Sequence, residues 1–355
     1  MFSLGLGRKQ APLLGIDIGS TAVKLVELSR TRPASTSTYR VESCALEPLP
    51  TTALVDKKIA DIQAVGAAIR RAVARSGTKA KAAAVAVPSS ATITKVISMT
   101  AGLKDTEMEG LIQLDADQYI PYPLDEVNLD FTVLGPAVIQ GEVDVLLVAT
   151  RHEVVDNLMA ALDIAGLQAE VVDAEPYALE NGAILAMGAQ AKDSTIAITD
   201  IGAKATRIQV VRNGRGLFNR EQGFAAAQLL EDIQHRYGFS DVEARRRLEG
   251  GEYPENFTAE VCFPFLEVLT QQIGRALQFY YSSTNSKPAD QILLTGGVAA
   301  LPGMEQEVNA RLGILAYVAN PFVHMTLGPR VPARLIQRYG PALVLAVGLA
   351  LRGFD

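Results

Sequence analysis

One short pattern occurs twice in this chain. GIDIGSTAVKLVEL, Gly15 to Leu28, returns in altered form as ITDIGAKATRIQVV, Ile198 to Val211. An internal repeat constrains the fold more tightly than any composition figure, because both copies must build the same supersecondary unit. Superposed on their DIG triplets, the copies match Asp17 with Asp200, Ile18 with Ile201, Gly19 with Gly202, Lys24 with Arg207 and Leu25 with Ile208. In each, an apolar strand runs into Asp-x-Gly, a short polar turn follows, and a second β-type run with partial alternation leads away. Two β-hairpins are predicted, each with a carboxylate at the mouth of its turn. A third strand (YRVESCAL; GLFNREQ) and a helical stretch (IADIQAVGAAIRRAVARSG; FAAAQLLEDIQHRYG) follow each hairpin. The chain therefore reads as two related α/β domains.

Extra material separates the first helix from the second repeat. Ala82 to Pro88 reads as a buried strand, and comparable apolar character resumes only at Ala169 to Val172. Between them lie strand TITKVISM, a helix over Asp105 to Tyr119, strands NLDFTVLG and VDVLLVAT, and helix VVDNLMAALDIAG. This is a small α/β subdomain inserted in the first domain, over about residues 89–168. Near its centre, QYIPYPLDEV carries two prolines, which exclude a regular helix and predict an exposed, partly apolar loop. TRPASTST, Thr31 to Thr38, reads as a polar hairpin loop. The second half holds a long helix from about Phe263 to Ser283, strand QILLTGG, a turn and helix in VAALPGMEQEVNARLG, and a closing apolar helix, GPALVLAVGLALR. The expected division is 1–188, 189–335, and a C-terminal helix over 336–355 packing back on the first domain.

At 355 residues and 48% apolar content, the chain has ample material for two cores. Its net charge of −6, with Arg245 to Arg247 as its one short basic run, gives no pull toward phosphate backbones or anionic lipid, so nucleic acid is not an expected partner. Cys44 and Cys262 are far apart in apolar surroundings and offer neither a disulfide framework nor a zinc spacing. The opening MFSLGLGRKQ reverses the order of a secretory signal. The most apolar window, Pro341 to Leu351, falls well short of the ~20 residues needed to cross a bilayer. A cytoplasmic protein without direct membrane insertion is expected. His152, His235 and His324 are scattered and read as structural.

The repeated pattern carries chemistry. A phosphate chain needs close backbone approach, inward-pointing amides and a metal site for its charge. Asp17-Ile-Gly19-Ser20-Thr21 and Asp200-Ile-Gly202 each supply these parts, and two such hairpins facing across a cleft can clamp a polyphosphate. In ILLTGGVAALPG, Ile292 to Gly303, a strand ends in Gly296-Gly297 and turns into a helix, which lets backbone lie flat against a nucleoside.

This set resembles the superfamily of actin, heat-shock chaperones and sugar kinases. The inserted α/β subdomain is similar to those of FtsA and of the PilM family of type IV pilus assembly proteins. LLGIDIGSTAVKLVELSR, ALEPLPTTALVDKKI, PYPLDEVNLDFTVLG, DVLLVATRHEVVDN, VVDAEPYALENG and ILLTGGVAALPGM follow the PilM pattern in order across nearly the whole chain. The resemblance implies an actin-like (duplicated RNase H-like) two-domain α/β fold and a cytoplasmic scaffold that binds ATP and Mg²⁺. It places Asp17 and Asp200 beside the metal, and Gly19, Ser20, Thr21, Lys24 and Gly202 on the phosphates. Gly296, Gly297 and Val298 would lie along the adenosine. Glu175 falls where relatives position attacking water, although a helix-start carboxylate before Pro176 reads equally as a cap. Glu243 and Arg246 match a Glu-x-x-Lys that grips ribose and base, and read equally as a surface ion pair. As its partner the resemblance implies the N-terminal cytoplasmic tail of PilN, held beside the insert with Ile120, Pro121 and Tyr122 as candidate contacts. Through PilN it implies indirect links to PilO, PilP, the secretin and the pilus motor ATPases, and a location peripheral to the inner membrane. One departure stands out: the second turn reads DIGAKAT, with Ala203, Lys204 and Ala205 where active members often have DxGGGT. Phosphoryl transfer depends on tight positioning, so binding with at most slow hydrolysis is expected. The alternatives are a sugar-type kinase, for which no additional base is evident, and an FtsA-like filament protein, which normally adds an amphipathic helix after the last core helix.

Overall fold

The structure is a computed structural model, and it describes residues 12–31, 39–284 and 286–355. MFSLGLGRKQ and nearly all of TRPASTST lie outside the described residues. The first half begins with strands β1 (Leu13–Ile18), β2 (Ala22–Arg30) and β3 (Tyr39–Pro48), a small hairpin β4 (Leu54–Val55) and β5 (Lys58–Ile59), helix α1 (Ile62–Ser76) and strand β6 (Ala82–Val87). Next come β7 (Thr92–Thr100), α2 (Asp105–Asp115), β8 (Val127–Pro136), β9 (Glu142–Arg151), α3 (His152–Ile164), β10 (Gln168–Ala174) and α4 (Glu175–Met187). The second half contains β11 (Thr195–Ile201), β12 (Thr206–Arg212), β13 (Arg215–Gln222), α5 (Ala226–Tyr237), α6 (Asp241–Gly250), α7 (Phe263–Thr284), β14 (Gln291–Gly296), α8 (Met304–Leu312) and β15 (Leu315–Val318). The chain closes with β16 (Thr326–Leu327), α9 (Ala333–Tyr339) and α10 (Val344–Leu351).

The repeat is visible in the topology. The first sheet runs β10-β6-β1-β2-β3-β16 and the second β13-β12-β11-β14-β15. In both, the opening hairpin and its third strand are antiparallel, while two further strands add in parallel on the other side of the first strand. Parallel neighbours require a crossover, which helices provide. For β6 to β10 that helix is α3, whose Leu158, Ala161 and Leu162 pack into the same core as Val65 and Ile69 of α1.

This packing revises the boundary of the insert. Its own core is made by Met108 and Ile112 of α2 against Val145 and Leu147 of β9, in an antiparallel sheet ordered β7-β9-β8. The inserted unit therefore ends near Arg151, and residues 152–168 belong to the first domain. A second boundary also moves. Thr326 and Leu327 pair with Arg40 and Val41 of β3, so the chain has rejoined the first sheet before residue 335. Tyr280 of α7 is buried while Phe279 remains about half exposed, so this aromatic pair straddles the edge of the second core.

Helices α4 and α10 lie between the two sheets. Ala178, Leu179 and Ala183 of α4 and Val344, Leu345 and Leu349 of α10 share one apolar cluster with Leu13 and Ala84 of the first sheet and Ile196, Ile198 and Leu293 of the second. The apolar composition of α10 follows from its being enclosed on all sides, not from a membrane. Among the described residues, no helix is long and apolar enough to cross a bilayer. Both cysteines are buried, and burial pushes the Cys44 thiol up to about 12.

Two predictions arise from this interface. The helices cross at glycines: a Cβ on Gly348 would lie 1.7 Å from the Ala178 carbonyl oxygen, and one on Gly182 would lie 2.0 Å from that of Val344. Gly348→Ala is expected to cost about 3 kcal/mol or more in urea denaturation, and a loss below ~1 kcal/mol would show that the crossing adjusts freely. Glu180 of α4 is 4% exposed, accepts one hydrogen bond from Gln209 Nε2 at 3.3 Å, and is pushed by burial up to about 7. The folded chain keeps a proton there that the unfolded chain releases near its ordinary value of 4.5, so this group subtracts stability as pH rises from that value to about 7. Glu180→Gln is expected to flatten that slope and add on the order of 2 kcal/mol at about pH 8 but little at about pH 4.5. An equal change at both pH values would refute the assignment.

Candidate functional site

Each DIG hairpin places its carboxylate directly opposite a cation. The register pairs Asp17 with Lys24 across β1 and β2, and Asp200 with Arg207 across β11 and β12. Side chains paired across an antiparallel ladder point to the same face, so both pairs face the space between the sheets. The turns also match: the Gly19 amide donates to the Ala22 carbonyl and the Gly202 amide to the Ala205 carbonyl, both at 3.0 Å. Carbonyls of Gly202 and Ala203 accept the amides of Ala226 and Ala227, which fixes the start of α5 on the second turn. Gly296 ends β14 beside Ile201 with φ of 100°, and a Cβ there would lie 2.2 Å from the Ile201 carbonyl oxygen. Glycine is required at this strand end.

These elements enclose a cavity of about 860 Å³, within the usual range for small-molecule sites. Asp17, Gly19, Ser20, Thr21, Lys24, Glu175, Asp200, Gly202, Gly296, Gly297 and Val298 all line it. Glu243 and Arg246 do not. Helix α6 presents Asp241, Arg245, Leu248 and Glu249 to the cavity, residues spaced as one helical face. Glu243 lies on another side and pairs with Arg247, and Arg246 is exposed. The expected Glu243 and Arg246 thus face away from the cavity, and the acid–base pair this helix turns toward it is Asp241 and Arg245, which bond each other at 2.8 Å. The insert contacts also change. Ile120 is buried with Ala116, Val127 and Ala149 and is not accessible to a peptide, whereas Pro121 is exposed and Tyr122 is partly exposed beneath the Arg151 guanidinium.

Charge in the cavity is densely paired. Lys24 Nζ donates to Asp17 Oδ2 at 2.6 Å. Burial pushes the Asp17 carboxyl up from its ordinary value; the Lys24 ammonium opposes that shift, while Glu175 and Asp200 add to it. Burial lowers Lys24, but the Asp17 carboxylate overrides it and holds the ammonium above its ordinary value. Arg207, 1% exposed, donates to Glu175 Oε2 at 2.5 Å and to Glu221 Oε2 at 3.4 Å, and lies 3.9 Å from Asp200. Its Nε and Nη1 are buried and make no hydrogen bond to protein, so the guanidinium retains donors for an anion. Glu175 also accepts the Ser89 amide at 3.0 Å and lies 3.9 Å from Lys57. Burial would raise its carboxyl, but Arg207 and Lys57 outweigh burial and hold it below the usual carboxylate range. Asp200 accepts from Thr295 Oγ1 at 2.9 Å.

Among the described residues no three His, Cys, Asp or Glu side chains form a metal cluster. The carboxylates of the cavity suit Mg²⁺ of the kind that arrives on a polyphosphate, held by one or two carboxylates with phosphate and water completing its shell. Asp17 and Asp200 stand one on each hairpin and both line the cavity. Besides the α6 residues, the charged side chains lining or bordering the cavity that were not evident as site residues from sequence include Lys57, Lys204, Arg207 and Glu221. The duplication gave a signal for Arg207, since it aligns with Lys24; nothing local marks Lys57 or Glu221.

Comparison with known proteins agrees with this architecture. A solved structure described as a PilM–PilN type IV pilus biogenesis complex matches with a TM-score of 0.81 and 28% identity, covering 98% of this chain and 99% of that one. The ethanolamine utilization protein EutJ from Carboxydothermus hydrogenoformans matches with a TM-score of 0.58 and 18% identity, covering 95% and 88%. A diol dehydratase-reactivating factor in nucleotide-free form matches with a TM-score of 0.54 and 10% identity, covering 97% and 100%. The fold is actin-like. The sequence pattern of the family described as type IV pilus assembly protein PilM matches residues 15–354, and this chain belongs to that family.

Proposed function

We propose that this chain is a nucleotide-binding scaffold of the type IV pilus machine, taking ATP with Mg²⁺ in the cleft and the N-terminal tail of PilN beside the insert. The observation that carries the first half is the doubled hairpin, with a carboxylate, a cross-strand cation and a closed glycine turn repeated on opposite walls of one cavity. Turn amides and the cations Lys24 and Arg207 hold the phosphates, Asp17 and Asp200 hold the metal, and Gly296, Gly297 and Val298 lie along the adenosine. Mg²⁺ bound by these residues would neutralise phosphate charge. Asp241 and Arg245 face the nucleoside end.

Glu175 supports binding over turnover. A general base needs a free lone pair and a pKa near the working pH. The Glu175 carboxylate is instead bound to Arg207 and the Ser89 amide and held more acidic than usual. Nucleotide thus acts on the relative placement of the two domains around α4 and α10, a population shift and not a catalytic cycle. The second half of the reading rests on the family and on the solved complex of a similar protein with PilN. Pro121 and Tyr122 remain candidate contacts there, and PilN provides the route to the inner membrane and to the other pilus components.

Two measurements test these halves separately. Asp17→Asn is expected to weaken Mg–ATP binding at least about tenfold in calorimetric titration while the protein stays folded, and unchanged affinity would remove the cleft assignment. The register pairs Thr92 with Thr150, so the two ends of the insert lie side by side, about 5 Å apart as in any antiparallel pair. Replacing residues 93–149 by a short Gly-Ser link is expected to abolish capture of a synthetic PilN tail and to leave Mg–ATP binding intact. Retention of the tail would place its groove elsewhere.

A further inference from the structure

The departure in the second turn has a structural partner. Superposition of the repeats aligns Lys204 with Thr21, and Lys204 Nζ reaches across the cleft to the Leu54 carbonyl at 3.4 Å. Leu54 belongs to the β4–β5 hairpin of the first domain. The turn of that hairpin, Asp56-Lys57, has φ of 48° and 64°, the left-handed conformation at both central residues that normally selects Asn-Gly. Strained backbone held at a site points to a use for the side chain it carries. Here it sends Lys57 into the cavity, where Nζ bonds Glu221 of the facing domain at 2.6 Å and lies 3.9 Å from Glu175. The hairpin is therefore latched to the second domain by two lysine contacts, one from each side of the cleft.

We propose that Lys57 and Lys204 are specificity-determining residues that distinguish a nucleoside triphosphate from a diphosphate. The inference rests on the nucleotide reading of the cleft given above. A nucleotide with its adenosine along Gly296–Val298 and its first phosphates on the two turns directs a terminal phosphate toward the β4–β5 hairpin, where Lys57 lies beside Glu175 and Lys204 is held on the Leu54 carbonyl. Neither ammonium is free in this structure: one is committed to a carboxylate and the other to a carbonyl. A terminal phosphate, carrying more charge than Glu221 and far more than a carbonyl oxygen, exchanges for both partners. A diphosphate stops short and leaves the latch closed. Carboxylate and phosphate compete for the same ammonium, so Glu221 is the competitor that sets how much the third phosphate gains.

That competition gives the test its sign. ATP and ADP affinities of the full chain are measured by calorimetric titration with Mg²⁺, with thermal unfolding to confirm that each variant folds. Lys57→Met and Lys204→Thr, the latter restoring the residue of the first turn, are each expected to weaken ATP about tenfold and ADP by less than about twofold. Glu221→Gln is expected to do the opposite, raising the ATP to ADP preference. A latch that is only structural loses the same ion pair in Lys57→Met and Glu221→Gln, and both variants then shift both nucleotides in one direction; that result overturns the proposal, as does an unchanged ATP to ADP ratio in the two lysine variants. Wild-type protein that binds neither nucleotide refutes the cleft reading itself, whereas binding of both with lysine-independent selectivity refutes this inference alone.

Discussion

The buried guanidinium of Arg207 is the constraint around which the cleft is organised. A charge that is almost fully enclosed is costly unless paired, and loss of one partner from such a pair typically costs about 3–5 kcal/mol. Its carboxylate neighbours come from both halves of the molecule: Glu175 from the start of α4, Asp200 and Glu221 from the second sheet. Because Glu175 belongs to the helix that joins the domains, the same contact that neutralises Arg207 also fixes how the second sheet meets the first. Lys57 adds a further cation to this cluster from the β4–β5 turn. The relative placement of the domains is thus tied to charge pairing in the cleft as well as to the apolar contacts of α4 with α10.

The two hairpins are alike in backbone and unlike in charge. Each closes its turn with the same glycine amide bond and sets an aspartate opposite a cation. In the first copy the pair is self-contained, with Lys24 bonded to Asp17 at 2.6 Å. In the second, Arg207 is 3.9 Å from Asp200 and turns its strongest contact to Glu175 across the domain boundary. The Thr21 to Lys204 change has the same character, since the longer side chain reaches the opposite domain where threonine would end at its own turn. The second copy has exchanged local pairing for contacts that cross the cleft.

Much of this was legible in the sequence because it depends on local pattern. Period-two runs around Asp-x-Gly identify hairpins wherever they occur, and their recurrence identifies the two sheets. The insert boundary was harder, because the apolar spacing of Val154 to Gly166 marks a helix without stating which core it enters; the parallel pairing of β6 with β10 decides that. Glu243 and Arg246 failed for a related reason. Their spacing is correct for one helical face, but the phase of α6 against the cavity is set by Leu248 and Ala244 packing beneath it, and a motif carries no phase. Ile120 was misread because proline excludes a helix without excluding burial. Lys57 and Glu221 meet across 164 residues, a contact that only the folded chain can express.

Strand β13 connects these observations. Its Glu221 lies at the cleft, bonded to Lys57 and beside Arg207, while Arg215 at its other end donates to the Leu134 carbonyl in β8 of the insert. The seven residues from Arg215 to Glu221 form a stiff element of about 20 Å. Its ladder to β12 ties it to the hairpin that carries Arg207. Any change of partner at Glu221 is therefore applied to an element that also holds the insert, and any load on the insert is applied to an element that pairs the cations of the cleft. The charge pairs that tie up Glu175 in place of a free base are the same ones that join the cleft to the insert, which is the connection the scaffold reading proposed above requires.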